Sequence, residues 1–308
     1  MPVDDPLVVV IVTYRSSDVI GPCLDSLLLA PAPSMRIIVV DNNSNDTTID
    51  VVNRRMGRPG VHRVELIRHS SNRGYAAGVN TGLVQAADAS RVWILNPDCI
   101  VPPTTPERLL AAADRVGEFA LIGGRTLYAD ETGRIQSDGG HVNRWTGVCR
   151  LANSGAAHDA PPPGKVDFIS GANMLASRAF LDRAGPMDEG YFLYYEEVDW
   201  ARRRGDLPLI LCSEAIVLHR AGTAIGSAAP GRPASAFANY FNYRSRMRFV
   251  RKHRPNILPF AMGFAVAKSA QLVLRGRFDQ AGGALRGTLG LPAPASVRAR
   301  LSADFELS

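Results

Sequence analysis

Residues 91–101 read RVWILNPDCIV. Val92, Trp93, Ile94 and Leu95 form an uninterrupted apolar run, which suits a strand buried on both faces of a sheet. Pro97 has no N–H to donate, so regular pairing is disturbed where the run ends. Asp98 therefore stands near the strand's carboxyl end, the edge at which open α/β sheets bind ligands. Asn, Pro and Asp are also common turn residues, and these three taken alone favour a plain turn. The rest of the chain decides between the two.

Upstream, the same pattern recurs. Leu7 to Val12 is a continuous apolar run, and Ile20, Leu24, Leu27 and Leu28 follow with helical spacing until Pro31 and Pro33. Ile37 to Val40 is a second buried strand, followed by a polar loop over residues 41–46 and a helix that Thr47 can cap. Val64, Leu66 and Ile67 begin a third strand, and NRGYAAGVNTG leads into another helix. Strand and helix thus alternate through the first hundred residues, as in a mostly parallel central sheet with flanking helices. Downstream, residues 119–128 and 166–176 read as strands, with a long loop rich in Gly, Asp, Asn and Pro over 129–165. A helix over 197–204 ends at Gly205, a plausible C-cap. Residues 209–212 and 216–219 read as short strands. A linker over 223–236 precedes helices over 236–253 and 258–274.

The 308 residues are 46% hydrophobic, enough for one large α/β domain over 1–225 and a basic helical C-terminal segment over 226–308. The formal net charge is +6 and unevenly spread, since no Asp or Glu occurs from Ala215 to Phe278. Such a basic segment with apolar neighbours can serve an anionic membrane surface, an anionic substrate or nucleic acid. No nucleic-acid-binding motif accompanies it, so nucleic acid is not expected as a partner. The four cysteines form no CxxC pair and read as free thiols of a reducing compartment. Asp4 and Asp5 before a short apolar run do not make a secretory signal. Lys268 interrupts the longest apolar stretch, so no spanning helix is expected.

Acidic groups fall where the sheet's carboxyl edge would gather them. Asp41 follows the second strand, Asp98 the fourth, and Glu196, Glu197 and Asp199 cluster in FLYYEEVDWARRRG. A carboxylate facing phosphate oxygens points to a divalent cation, and a second carboxylate can act as general base on a hydroxyl. Each residue also has a simpler role. Asp41 can turn the chain, Glu196 and Glu197 can favour a helix dipole, Asp199 can pair with Arg203 four residues on, and a lone His219 reads best as a satisfied histidine.

Seven short motifs occur in one order across residues 8–222: VVVIVTYRSS, VVDNNSNDT, NRGYAAGVNTG, LNPDC, FISGANML, MDEGYFLYYEEVDWARRRG and VLHRAG. This order resembles the inverting glycosyltransferases of family 2, with the GT-A fold, and looks closest to their non-processive, rhamnosyltransferase-like branch. The resemblance implies transfer of a sugar, rhamnose above others, from a nucleotide-sugar donor to a glycan or polyprenyl-linked acceptor. It places Thr13, Tyr14 and Asp41 at the nucleoside, Arg73, Gly74 and Asn80 against the nucleotide-sugar, and Asn96 at the donor sugar or ribose. Asp98 and His219 would hold Mn2+ or Mg2+, and Gly171 and Ala172 would shape the acceptor pocket. Glu197 would be the general base, with Glu196 as its neighbour in the pair; the family more often has Asp at that second position. The implied location is cytoplasmic, peripheral to the inner face of the cytoplasmic membrane, with oligomer formation left open. Competing readings are a nucleotidyltransferase acting on a sugar phosphate, which would carry a Gly-rich loop where TYRSSD stands, and a non-catalytic nucleotide-sugar or nucleic-acid binding protein.

Overall fold

The apolar runs become the interior of one sheet. A computed structural model describes residues 6–130, 132–220 and 233–305. In chain order the first elements are β1 (Leu7–Thr13), α1 (Ser17–Leu28), β2 (Met35–Asp41), α2 (Thr48–Asn53), β3 (Arg63–Arg68), α3 (Tyr75–Gln85) and β4 (Arg91–Leu95). These follow the alternation seen in the sequence. A two-residue strand β5 (Cys99–Ile100), α4 (Thr105–Val116), β6 (Leu121–Tyr128) and β7 (Ile135–Ser137) come next. A separate two-stranded ribbon, β8 (Gly140–Val142) and β9 (Cys149–Leu151), precedes β10 (Asn173–Ser177), α5 (Arg178–Ala184), α6 (Glu196–Arg202) and β11 (Leu209–His219). The main sheet runs β3-β2-β1-β4-β10-β6-β11-β5, with β7 on β6. Strands β3, β2, β1 and β4 are mutually parallel, while β10 enters antiparallel between β4 and β6.

The strand expected over 166–176 is confined to Asn173–Ser177, apart from an isolated bridge from Phe168 to Gly140. The two strands expected over 209–219 are one, with a pairing irregularity between Cys212 and Ile216. The long loop over 129–165 contains β7, β8 and β9. Most of the linker expected over 223–236, and the boundary expected at 225, lie outside the described residues.

Two compact units divide the chain. One contains Met1–His141, Leu151–Asp188 and Glu197–Arg220, with its core on the faces of β1, β2 and β4. Gly78 and Gly82 let α3 settle on β1. A Cβ at these positions would come within 2.5 Å of Val12 and 2.3 Å of Val10, so NRGYAAGVNTG carries glycine for packing as well as for its loop. Arg125 and Asp138 form a buried bidentate pair at 3.0 and 2.7 Å, and Asn153 Nδ2 donates to the same carboxylate at 2.8 Å. Arg125 also donates to the backbone oxygens of His158 and Ala160, which fixes the long loop to β6.

The other unit contains Val142–Arg150, Glu189–Glu196 and Ala221–Ser308. Its helices are α7 (Ala236–His253), α8 (Leu258–Leu274, entered through a 3-10 turn at Pro255–Ile257), α9 (Phe278–Leu289) and α10 (Ala295–Phe305). Gly283 and Gly287 of α9 lie directly on the α7 backbone, where a Cβ would meet Ala236 O at 2.5 Å and Tyr240 O at 2.3 Å. Phe237, Tyr240, Phe241, Ala293 and Val297 form the core, joined by Phe192, Leu193 and Tyr194. Pro255–Leu274 is long and apolar enough to cross a bilayer by length and composition, despite Lys268, and only 22% of it is buried.

Removing one partner of the Arg125–Asp138 pair strands a buried charge. Arg125→Met is expected to lower stability by about 3–5 kcal/mol. Urea unfolding measures it, and a loss under about 1 kcal/mol would show that the pair does not hold the loop.

Candidate active site

The end of β11 lies antiparallel to β5, with His219 opposite Cys99 and Leu218 opposite Ile100. Arg220 N donates to Asp98 O at 3.1 Å and closes the seam. His219 Nε2 consequently stands 2.9 Å from Asp98 Oδ1. Asn96 Nδ2 is 3.3 Å from the same ring nitrogen, and Gln136 Oε1 is 2.6 Å from Nδ1. The spacing of Nε2 and Oδ1 suits a direct hydrogen bond or a cation shared by both atoms, with Gln136 bonded to the far ring nitrogen. Cis ligands of an octahedral ion at about 2.1 Å lie about 3 Å apart, so the observed spacing suits a Mg2+- or Mn2+-like site. Gln136 is the outer partner that orients such a histidine. Cys99 completes a cluster whose ligand atoms lie within 4.8 Å of one another. Its buried thiol is held well above the ordinary range by desolvation and then by the Asp98 charge, and Sγ donates to Ala172 O. The carboxylate and imidazole are therefore the better ligands.

The loop before β10 runs beside this pair. Asn96 N donates to Ala172 O at 3.1 Å, and Tyr75 Oη donates to Gly171 O at 2.9 Å. A Cβ on Gly171 would lie 3.9 Å from Glu197 Cβ, so Gly171 and Glu197 are neighbours. Glu197 begins α6 with Glu196. Its Oε2 is sealed from solvent and meets no hydrogen-bond donor. Burial pushes the Glu197 carboxyl from its ordinary 4.5 up to about 7; the backbone N–H groups of Glu197 and Val198 pull the other way without cancelling it. Glu196 is 6% exposed. Arg203 Nε is 3.0 Å from Asp199 Oδ2, the pairing that their spacing implies.

Farther along the carboxyl edge, Thr13 and Asp41 are opposite each other on β1 and β2. Asp41 is fully buried. Thr13 Oγ1 and Ser44 Oγ donate to its Oδ1 at 2.9 and 2.6 Å, and Ser44 N donates to Oδ2 at 2.8 Å. Tyr14 follows on the loop. Gly74, with φ 87, opens α3 and accepts from Asn42 Nδ2, while Arg73 beside it is exposed. Asn80 lies within α3, where its amide bonds both N and O of Met187. The structure thus gathers Asn96, Asp98 and His219 in one place, and Gly171, Ala172 and Glu197 beside one another. Thr13, Tyr14 and Asp41 form a third group. Gln136, Ser44 and Tyr75 were missed by sequence reasoning. Tyr75 was within reach, since it sits inside a quoted motif, whereas Gln136 lies in a stretch without periodicity.

A curled α/β sheet with flanking helices defines the fold class. The solved structures that resemble it are sugar transferases of the GT-A fold. Pyrobaculum calidifontis mannosyltransferase PcManGT, in complex with GDP-Man and Mn2+, matches with TM-score 0.57 at 17% identity, covering 99% of this chain and 81% of that one. GalNAc-T7 with UDP, GalNAc and Mn2+ matches with TM-score 0.62 at 13% identity over 97% of this chain and 57% of that one. Residues 8–185 match the family described as Glycosyl transferase family 2, and the chain belongs to that family. It is 28% identical over 248 residues to N-acetylglucosaminyl-diphospho-decaprenol L-rhamnosyltransferase of Mycobacterium tuberculosis, covering 70% of this chain and 77% of that protein. It is 26% identical over 221 residues to galactofuranosyltransferase GlfT1 of Mycolicibacterium smegmatis, covering 70% of each.

The raised Glu197 carboxyl has a consequence for stability. Below about pH 4.5 the group is neutral both folded and unfolded. Between 4.5 and about 7 the unfolded chain ionises while the folded one keeps its proton, so stability falls as pH rises. Glu197→Gln lacks this loss. The stability difference between variant and wild type is expected to move in the variant's favour from pH 4.5 to 7 and then level off. Denaturant midpoints across this range measure it, and a difference independent of pH would contradict the buried carboxyl.

Proposed function

We propose that this protein transfers a sugar, rhamnose in the first instance, from a nucleoside-diphosphate donor to a hydroxyl of a glycan or polyprenyl-linked acceptor, with inversion at the anomeric carbon. The observation that carries the reading is the Asp98–His219 pair at 2.9 Å, oriented by Gln136. Family membership and the rhamnosyltransferase relative support the sugar and the lipid-linked acceptor.

Asp98 and His219 would hold Mn2+ or Mg2+, and imidazole suits Mn2+ better. When bound, the cation neutralises charge on the departing diphosphate. Thr13 and Tyr14 border the nucleoside. Asp41 keeps Thr13 and Ser44 in place at that end and stands closest to the base or ribose on β2. Arg73 and Gly74 lie against the nucleotide-sugar at the start of α3, with Asn80 bracing that helix from within. Asn96 faces the donor sugar or ribose. Gly171 and Ala172 leave room for the acceptor beside Glu197. The sealed Oε2 of Glu197 accepts the proton of the acceptor hydroxyl as that oxygen attacks the anomeric carbon. A carboxyl poised near 7 is matched to general-base work at neutral pH.

Transfer is expected to require a divalent cation and to vanish in Asp98→Ala. Glu197→Gln should lower turnover about 10²-fold or more with donor affinity unchanged. Transfer assays with Mn2+ and with excess chelator check both. Full turnover in chelator contradicts the cation, and an inactive Glu196→Gln beside an active Glu197→Gln moves the base to the other carboxylate.

The basic, acid-free residues of 237–278 support contact with the inner face of the cytoplasmic membrane. Phe260 and Leu274 are 61% and 88% exposed on α8, and each well-placed cation adds about 1 kcal/mol toward anionic lipid. Lys268 in mid-helix favours α8 lying in the interface over crossing it. Co-sedimentation should show salt-sensitive binding to anionic vesicles and little to neutral ones. Equal, negligible binding to both removes the membrane contact.

A further inference from the structure

Arg246 is a buried cation that meets no anion among the described residues. It lies on α7 and is 3% exposed. Its Nε and Nη2 are sealed from solvent and meet no acceptor. No carboxylate among the described residues pairs with it. Aromatic groups surround it instead. The guanidinium carbon lies 4.4 Å from the Tyr243 ring centroid and 5.7 Å from that of Phe264. Tyr195, whose Oη donates to Gly147 O at 2.8 Å, faces the same charge. Tyr194 and Tyr195 have φ of 68° and 70°, a left-handed pair that non-glycine residues adopt at an energetic cost, typically at working sites.

An isolated charge is among the most unfavourable groups to bury. Lysine or histidine in this position can shed a proton; arginine cannot. Contact with two aromatic faces offsets only part of the desolvation. The position therefore calls for an anion, and the planar donor fork suits phosphate oxygens.

The surroundings specify which kind. Phe264 belongs to α8, the apolar helix of low burial. Lys268, an exposed residue, places Nζ 5.7 Å from the same Phe264 ring. Two turns of α8 thus present an exposed cation and apolar surface around the ring that covers the buried one. We propose that Arg246 and Lys268 bind the phosphate or diphosphate headgroup of a lipid-linked acceptor, whose hydrocarbon chain follows α8. This deepens the acceptor reading given above and rests on it.

Thermal unfolding of the full chain tests the site, with chelator present so that the cation site does not recruit diphosphate. The probes are farnesyl diphosphate, inorganic pyrophosphate, inorganic phosphate and farnesol. Farnesyl diphosphate should raise the wild-type melting temperature by more than pyrophosphate does, and farnesol should leave it unchanged. Arg246→Met should weaken the apparent affinity about tenfold or more. Without ligand it should melt at or above the wild-type temperature, because the unpaired charge is gone. A purely structural Arg246 gives the opposite pair of results, a lower melting temperature and an unchanged response to the probe. Arg246→Lys keeps the charge and should retain part of the shift, which covers the case in which the Met variant does not fold. No wild-type shift with either diphosphate, or wild-type shifts in both variants, overturns the proposal. Equal shifts with pyrophosphate and farnesyl diphosphate overturn the lipid source. None of these readouts depends on sugar transfer, so failure of the site and failure of the transferase reading are told apart.

Discussion

The contact on which the site depends is the seam between a two-residue strand and the end of a long one. Cys99–Ile100 pairs antiparallel with Leu218 and His219. That pairing carries His219 to a carboxylate far from it in sequence. Asn96 N on Ala172 O and Arg220 N on Asp98 O bond the two sides of the strand end. Pro97 interrupts regular pairing after β4, and the chain turns so that β5 meets β11 rather than continuing beside β1. The turn at Asn96-Pro97-Asp98 is what presents Asp98 to His219, so the turn reading and the proposed site reading are compatible.

The proposed cation position has one carboxylate and one imidazole beside each other, with Gln136 on the ring's far nitrogen. Burial at the head of α6 raises the Glu197 carboxyl to about 7, so a carboxylate able to accept a proton is still present at neutral pH. Asp41, by contrast, accepts three local hydrogen bonds and so organises the loop after β2. Three acids that look alike in the sequence are thus placed in three different environments.

Legibility follows the same physics. Strands β1, β2 and β4 could be read because buried parallel strands are continuous apolar runs. The antiparallel β10 was misplaced, since Val166, Phe168 and Ile169 are buried without joining the sheet as a strand. Ser213 and Glu214 made β11 look like two strands, and a pairing irregularity absorbs them. α4 was overlooked, although Pro106 near its start and a stripe of Leu109, Ala112 and Ala113 mark it. In the second unit the helices α7 and α8 were legible by period. The Gly283–Gly287 approach that joins α9 to α7 was not, because small residues reveal a close crossing only once the partner helix is known. The family resemblance, not residue type alone, singled out His219 and Glu197 beside Asp98; Gln136 had no such signal, since its place comes from where β7 runs.

Asp98 and His219, oriented by Gln136, are proposed to hold one divalent cation. Titration of the protein with Mn2+ alone, followed by the loss of the free-ion electron paramagnetic resonance signal, tests it without any sugar substrate. A single saturable site is expected in the wild type, weakened about tenfold or more in His219→Ala, Asp98→Asn and Gln136→Ala alike. Unchanged Mn2+ affinity in all three variants would contradict it.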